Sequence, residues 1–146
     1  MASVLILNGP NLNLLGSRSP EIYGTTTFPE LEELCRREAG QLGLDAVCRQ
    51  SNHEGQLIDR IHQRDFDAAI VNAGGLTHTS VSLRDALVGV DKPFVEVHLS
   101  DPSKREAFRK VNFLADVAAE SIVGKGAEGY SLALETIASM FEGGAT

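Results

Sequence analysis

Leu7-Asn8-Gly9-Pro10-Asn11-Leu12, running on to Tyr23-Gly24, is the stretch around which the rest of the chain reads. Just ahead of it, Val4-Leu5-Ile6-Leu7 is an unbroken apolar run, as expected of a strand buried on both faces. Gly9 and Pro10 stop that strand at once, and Asn8 and Asn11 flank the break. The next helix start comes only at Thr27, whereas strand-to-helix loops usually run ~2–6 residues. A connection this long, carrying Arg18, Ser19, Pro20 and Tyr23, is suited to binding or chemistry. The remaining chain reads as the platform beneath it.

Thr27-Phe28-Pro29-Glu30 predicts a helix start with Thr27 as cap, Pro29 in the first turn and Glu30 completing a capping box. Phe28, Leu31, Leu34, Ala39 and Leu42 keep helical spacing, and Gly43 ends the helix. Leu44–Cys48 reads as a second strand. Ser51-Asn52-His53-Glu54 caps a helix bearing Leu57, Ile58, Ile61 and, at its end, Phe66. Ala68–Val71 is a third buried strand, ending in Asn72-Ala73-Gly74-Gly75. Thr79 or Ser80 starts a helix with Leu83, Ala86, Leu87 and Val90. Pro93–Val97 is a fourth strand ending in His98; the polar stretch from Asp101 to Arg109 is expected to be helical in its second half. Ser121–Val123 is a fifth strand, and Tyr130, Ala133, Leu134, Ile137 and Phe141 mark a last helix before a frayed tail at Gly143–Thr146.

Strands that are continuous apolar runs and alternate with helices belong to a parallel sheet covered on both faces. Five βα units predict an α/β, flavodoxin-like three-layer sandwich of sheet order 2-1-3-4-5, and 146 residues fit one domain. A net charge of −7 argues against general nucleic-acid binding but not against a small anionic substrate. No stretch reaches the ~20 apolar residues of a membrane span, and Met1-Ala2-Ser3 lacks the basic start of a signal peptide, so a cytoplasmic location is expected. Cys35, on a helix, and Cys48, on a strand, read as reduced structural thiols.

In such a sheet, ligands bind beyond the carboxyl ends of the strands, where strand order reverses. Asn8 and Asn11 follow strand one, Asn72 follows strand three and His98 follows strand four, so four polar side chains are expected to converge there. His78, Ser100, Arg105 and Arg109 come close behind. Singly, each has a plainer reading. Asn8 and Asn72 equally well satisfy loop backbone groups, and a histidine at a strand end is more often structural than catalytic. Arg105 and Arg109, four apart, suit either an anion clamp or pairing with acids. His53 and His62 fit a solvated helix face or a subunit contact. Gly124-Lys125-Gly126-Ala127-Glu128-Gly129 matches G-x-G-x-x-G, yet no second strand or ribose-binding acid follows, so it reads as a tight turn into the last helix.

The motif Asn8-Gly9-Pro10-Asn11-Leu12-Asn13-Leu14-Leu15-Gly16, with Arg18, Pro20 and Tyr23-Gly24, resembles the opening signature of the type II dehydroquinases (3-dehydroquinate dehydratases). The resemblance continues through Gln50–Gly55, Asn72–Ser80, Leu83–Ala86, Glu96–Ser100, Arg105-Glu106, Phe108-Arg109 and Gly129-Tyr130. It implies a flavodoxin-like fold, a homododecamer built as a tetramer of trimers, and cofactor-free anti elimination of water from 3-dehydroquinate by way of an enolate. By motif, Tyr23 matches the base, Arg18 the lid arginine beside it, Asn11 the residue holding a water at the enolate, and His98 the acid. Asn72, His78 and Arg109 match groups on substrate hydroxyls; Leu99 and Ser100 match the carboxylate site; Asp85 matches a residue reaching a neighbouring subunit's site. Glu96 matches the support of the histidine.

The chain departs from the family pattern in having Ser19 in place of the lid glutamate and Asp101 in place of asparagine. Asp101 is expected to put negative charge near the carboxylate site. The implied base is demanding chemistry. A free tyrosine titrates near ~10, so working near neutral pH takes roughly 4 kcal/mol of preferential stabilisation of the phenolate, which Arg18 is placed to supply. A flavodoxin-like binding module and a nucleotide-dependent oxidoreductase are the other classes the sequence allows.

Overall fold

The structure is a computed structural model and describes residues 1–17 and 19–142. Five strands run in order along the chain: β1 (Ala2–Asn8), β2 (Leu44–Gln50), β3 (Ala68–Asn72), β4 (Phe94–His98) and β5 (Glu120–Val123). They form one parallel sheet of order β2-β1-β3-β4-β5, as expected from the alternation of apolar runs and helices. The helices are α1 (Pro20–Tyr23), α2 (Phe28–Gln41), α3 (Glu54–His62), α4 (Val81–Val90) and α5 (Glu128–Glu142).

Successive side chains on a strand face opposite ways, and this builds two cores. Val4, Ile6, Ala68, Ile70, Val95 and Val97 pack with Leu31, Cys35 and Ala39 of α2 and with Ala133, Leu134 and Ile137 of α5. Leu5, Leu7, Ala69, Val71 and Phe94 pack on the other face with Leu57 and Ile61 of α3 and Leu83, Ala86, Leu87 and Val90 of α4. Each Val, Leu, Ile or Phe side chain among these, once fully buried, stabilises the fold by roughly 1.5–3 kcal/mol. The three-layer sandwich follows from that alternation.

Local signals fall where the residues put them. The Thr27 hydroxyl accepts from the Glu30 backbone N–H and the Glu30 carboxylate accepts from that of Thr27, closing the capping box. Ser80 caps α4 by accepting from Leu83 N at 2.9 Å. At α3, His53 is the cap position but makes no capping bond; Ser51 Oγ instead accepts from His53 N and donates to Gln56. Phe66 is buried beyond the end of α3 rather than on it, after the chain turns at Arg64 with φ 56°.

The main difference lies between β4 and β5. The second half of the polar stretch, expected to be helical, is a single 3-10 turn, Ala107–Lys110; another, Pro102–Lys104, lies in its first half, and the chain over 111–119 that leads to β5 is irregular. The segment's first part has no apolar face to bury, since Phe108 and Val111 are exposed, and Leu114 further on is buried against the sheet without forming a helix. Asn112 also turns its side chain onto the backbone N–H groups of Leu114 and Ala115, an alternative to the helical ladder. One face of β4 is therefore covered by irregular chain. The tail expected at Gly143–Thr146 lies outside the described residues.

Candidate active site

The carboxyl ends of β1 and β3 meet backbone to backbone. Gly9 N donates to Asn72 O at 2.8 Å, and a Cβ on Gly9 would stand 2.5 Å from Ala73 O. Gly74 adopts φ +59°, and a Cβ there would stand 2.9 Å from Pro10 O. Only glycine fits at both points. The two loops that leave this contact open a crevice at the switch between β1 and β3, lined by Asn11, Asn72, His78, His98, Leu99, Ser100, Arg105 and Arg109, among others.

The chemistry of the crevice centres on β4. Glu96 and His98 are two apart, so they share the face of the strand that the irregular segment covers. His98 Nε2 lies 2.9 Å from Glu96 Oε2, and Glu96 Oε1 accepts from Ser121 Oγ at 2.7 Å and from Asn112 Nδ2 at 3.2 Å. Glu96 is wholly buried. Burial pushes its carboxyl up, but the hydrogen bond and charge of His98, with the donors Ser121 and Asn112, outweigh it and hold Glu96 below the usual carboxylate range. An ionised Glu96 only accepts, so the proton on this contact belongs to His98 Nε2 and His98 Nδ1 is left for the crevice.

His78 stacks near His98, with ring centroids 6.5 Å apart and planes 19° from parallel. Its Nδ1 lies 2.6 Å from Val111 O, which can only accept. Asn11 stands at φ 72°, held by the β2–α3 loop: Asn11 N donates to Asn52 Oδ1 at 2.9 Å, and Gln50 Nε2 donates to the same oxygen and to Gly9 O. The sequence showed Gln50 and Asn52 only as part of a motif; their use as a clamp on the first loop is a property of the fold. Arg109 lines the crevice with its Nε bonded to Glu106, whose carboxyl that contact holds below its ordinary range.

One expectation needs correction. Asn8 does not face the crevice. Its Oδ1 accepts from the Tyr130 hydroxyl at 2.5 Å, and the same hydroxyl accepts from Asn72 Nδ2 at 3.0 Å, so Tyr130, read as a core residue of the last helix, ties β1 to β3 beneath the site. Asn72 does line the crevice, with its Oδ1 taken by Gly74 N at 3.2 Å. Asp101 does not line it: one carboxylate oxygen accepts from the backbone and hydroxyl of Ser103, capping the 3-10 turn. Asp85 is exposed on α4, outside this crevice. Arg18 lies outside the described residues; Tyr23 closes α1, its side chain likewise outside them.

The glycine run 124–129 serves the strand rather than a nucleotide. Gly124 N and Gly126 N, both at positive φ, donate to His98 O and Leu99 O and pin the end of β4. Gly129 then lets α5 approach Val97 and Ile122. Among the described residues no group of three or more His, Cys, Asp or Glu is arranged to hold a metal ion, and both cysteines are free.

The family model for class II dehydroquinases matches residues 2–138. The chain belongs to that family. Curated relatives are similar over nearly their whole length. The 3-dehydroquinate dehydratase of Rhodopseudomonas palustris strain TIE-1 is 53% identical over 147 residues, covering 99% of this chain and 97% of its own. The catabolic 3-dehydroquinase of Phaeosphaeria nodorum is 56% identical over 135 residues, covering 91% and 89%. Among solved structures, the type II dehydroquinase of Propionibacterium acnes superposes with a TM-score of 0.90 at 37% identity, covering 95% of this chain and 97% of its own. Among the described residues no helix is long and apolar enough to cross a membrane.

Proposed function

We propose that this chain dehydrates 3-dehydroquinate to 3-dehydroshikimate by anti elimination through an enolate, as one catalytic domain and without a cofactor. Its family and the names of its relatives support the reaction, and the buried Glu96–His98 pair opening on a crevice at the sheet's switch point carries the reading. In the first step the Tyr23 phenolate takes the C2 proton, and the electron pair moves onto the carbonyl oxygen. Arg18 stabilises the phenolate, and Asn11 holds the water that hydrogen-bonds the enolate oxygen. In the second step the enolate re-forms the carbonyl and expels the hydroxyl, which leaves as water with a proton from His98 Nδ1. Glu96 keeps the opposite nitrogen occupied, so the proton is delivered from the crevice side. Asn72, His78 and Arg109 bind the hydroxyls, and the substrate carboxylate sits at Leu99 and Ser100. Asp101, bonded to the backbone and hydroxyl of Ser103, stays ionised beside that carboxylate site.

We place the enzyme in the cytoplasm as a homododecamer, with Asp85 reaching a neighbour's site from the exposed face of α4; sedimentation of wild type should give a dodecameric mass. The test of the reaction is ultraviolet absorbance of the conjugated enone after 3-dehydroquinate is added to purified, metal-free protein. Wild type should form enone, and Tyr23→Phe and His98→Ala should not. Activity surviving in Tyr23→Phe would remove Tyr23 as base, and a folded wild type that forms no enone would reject the function.

A further inference from the structure

The stretch Val111-Asn112-Phe113, on the non-helical chain between β4 and β5, meets one histidine of the crevice directly and the other through Glu96. Val111 O meets His78 Nδ1 at 2.6 Å, and Asn112 Nδ2 reaches Glu96, which in turn holds His98. The stretch is itself fixed at Phe113, through both of its backbone polar groups. Phe113 N donates to Thr77 O at 3.0 Å, and Phe113 O accepts from Arg84 Nη1 at 2.9 Å, with Arg84 also paired to Asp116. The amide of Asn112 has only one workable orientation. Its Oδ1 accepts from Leu114 N at 2.8 Å and Ala115 N at 2.9 Å, so a flipped amide would set donor against donor there and oxygen against the Glu96 carboxylate.

We propose that Asn112 is a positioning residue for His98, and that Val111–Phe113 imposes opposite tautomers on the two histidines: Nε2–H on His98 and Nδ1–H on His78. This rests on the reading of His98 as the acid. Neutral His78 then turns an Nε2 lone pair to the crevice, while protonated His98 turns an Nδ1–H to it. The two nearly parallel rings thus present an acceptor and a donor side by side. A ring bearing several hydroxyls is sorted accordingly: a retained hydroxyl donates to His78, and the departing one takes its proton from His98. Asn112 contributes by giving Glu96 Oε1 a second donor beside Ser121, so that Oε2 is kept for His98.

The test is Asn112→Asp. The new side chain keeps an oxygen for Leu114 N and Ala115 N but sets a second carboxylate against Glu96. The groups facing Glu96 are His98 on its own strand, Ser121 from β5 and residue 112. Since general acids contribute ~10²–10⁴-fold, partial loss of the acid's alignment should lower kcat about 10- to 100-fold at neutral pH, with KM within about 2-fold. The deficit relative to wild type should shrink as pH falls and the introduced carboxyl, now protonated, donates to Glu96 again. Nitrogen-15 NMR of the imidazoles, read on ligand-free protein, should show Nε2–H on His98 and Nδ1–H on His78 in wild type, and loss of the single His98 form in the variant alone. A kcat–pH curve parallel to wild type would overturn the role of Asn112, and the opposite tautomer on either ring in wild type would overturn the assignment. Absence of enone formation by wild type would reject the reaction instead, while the NMR still decides the tautomers.

Discussion

Replacing Tyr130 with phenylalanine separates the buried hydroxyl from the ring that carries it. The ring is wholly enclosed between α5 and the sheet, and phenylalanine keeps its volume, so no cavity opens. What is lost is one donor to Asn8 Oδ1 and one acceptor for Asn72 Nδ2, both on residues at most 4% exposed. Leaving a buried polar group without a partner costs about 1–3 kcal/mol, and two are left here. Removing the hydroxyl also relieves its own desolvation, so the net loss should be about 2–3 kcal/mol. Burial pushes the Tyr130 hydroxyl far above its ordinary value, so it stays a neutral donor at any working pH. Urea unfolding at fixed protein concentration should show an earlier midpoint with an unchanged slope. Asn72 would lose the bond that steadies it from below, so KM should rise more than kcat falls. A stability change under about 0.5 kcal/mol would refute the view that the hydroxyl joins the two strand ends.

Other perturbations follow from the same geometry. Glu96 is held below its ordinary value, so its contribution is present above the unfolded carboxylate's ~4.3 and is lost as pH falls through the lower folded value; acid unfolding of Glu96→Gln should show less pH dependence in that window than wild type. Gly9→Ala and Gly74→Ala each force a Cβ into the backbone of the facing loop and should lose about 1–3 kcal/mol together with activity, read by thermal unfolding and enone formation. Burial pushes the Cys35 thiol up to about 12 and Cys48 also upward, so both should resist a disulfide reagent at pH 8 until denaturant is added.

Much of this was legible in the residues because it rests on local or periodic rules. The apolar runs at Val4–Leu7 and Ala68–Val71 decide that the sheet is parallel and covered, and Thr27 with Glu30 decides where α2 starts. Placing His98 and Asn72 at one crevice needed only the strand order. The roles of Tyr130 and Asn112 were not legible. A tyrosine at a core position of a helix pattern carries no mark of where its hydroxyl points, and its partners are distant in sequence. The 107–119 segment has polar residues at helix-compatible spacing, and only its packing against β4 shows that Asn112 serves Glu96 and the following turn instead.

The Asn8–Tyr130 bond joins residues 122 positions apart and lies under the crevice. Contacts of such long range carry the greatest loop-closure cost. The first strand supplies the loop that begins the site and meets the end of β3 backbone to backbone, but the side chains of Asn8 and Asn72 are joined only once α5 brings Tyr130 between them. A chain in which α5 has not yet folded against the sheet therefore lacks the hydroxyl that steadies Asn72 from below the crevice.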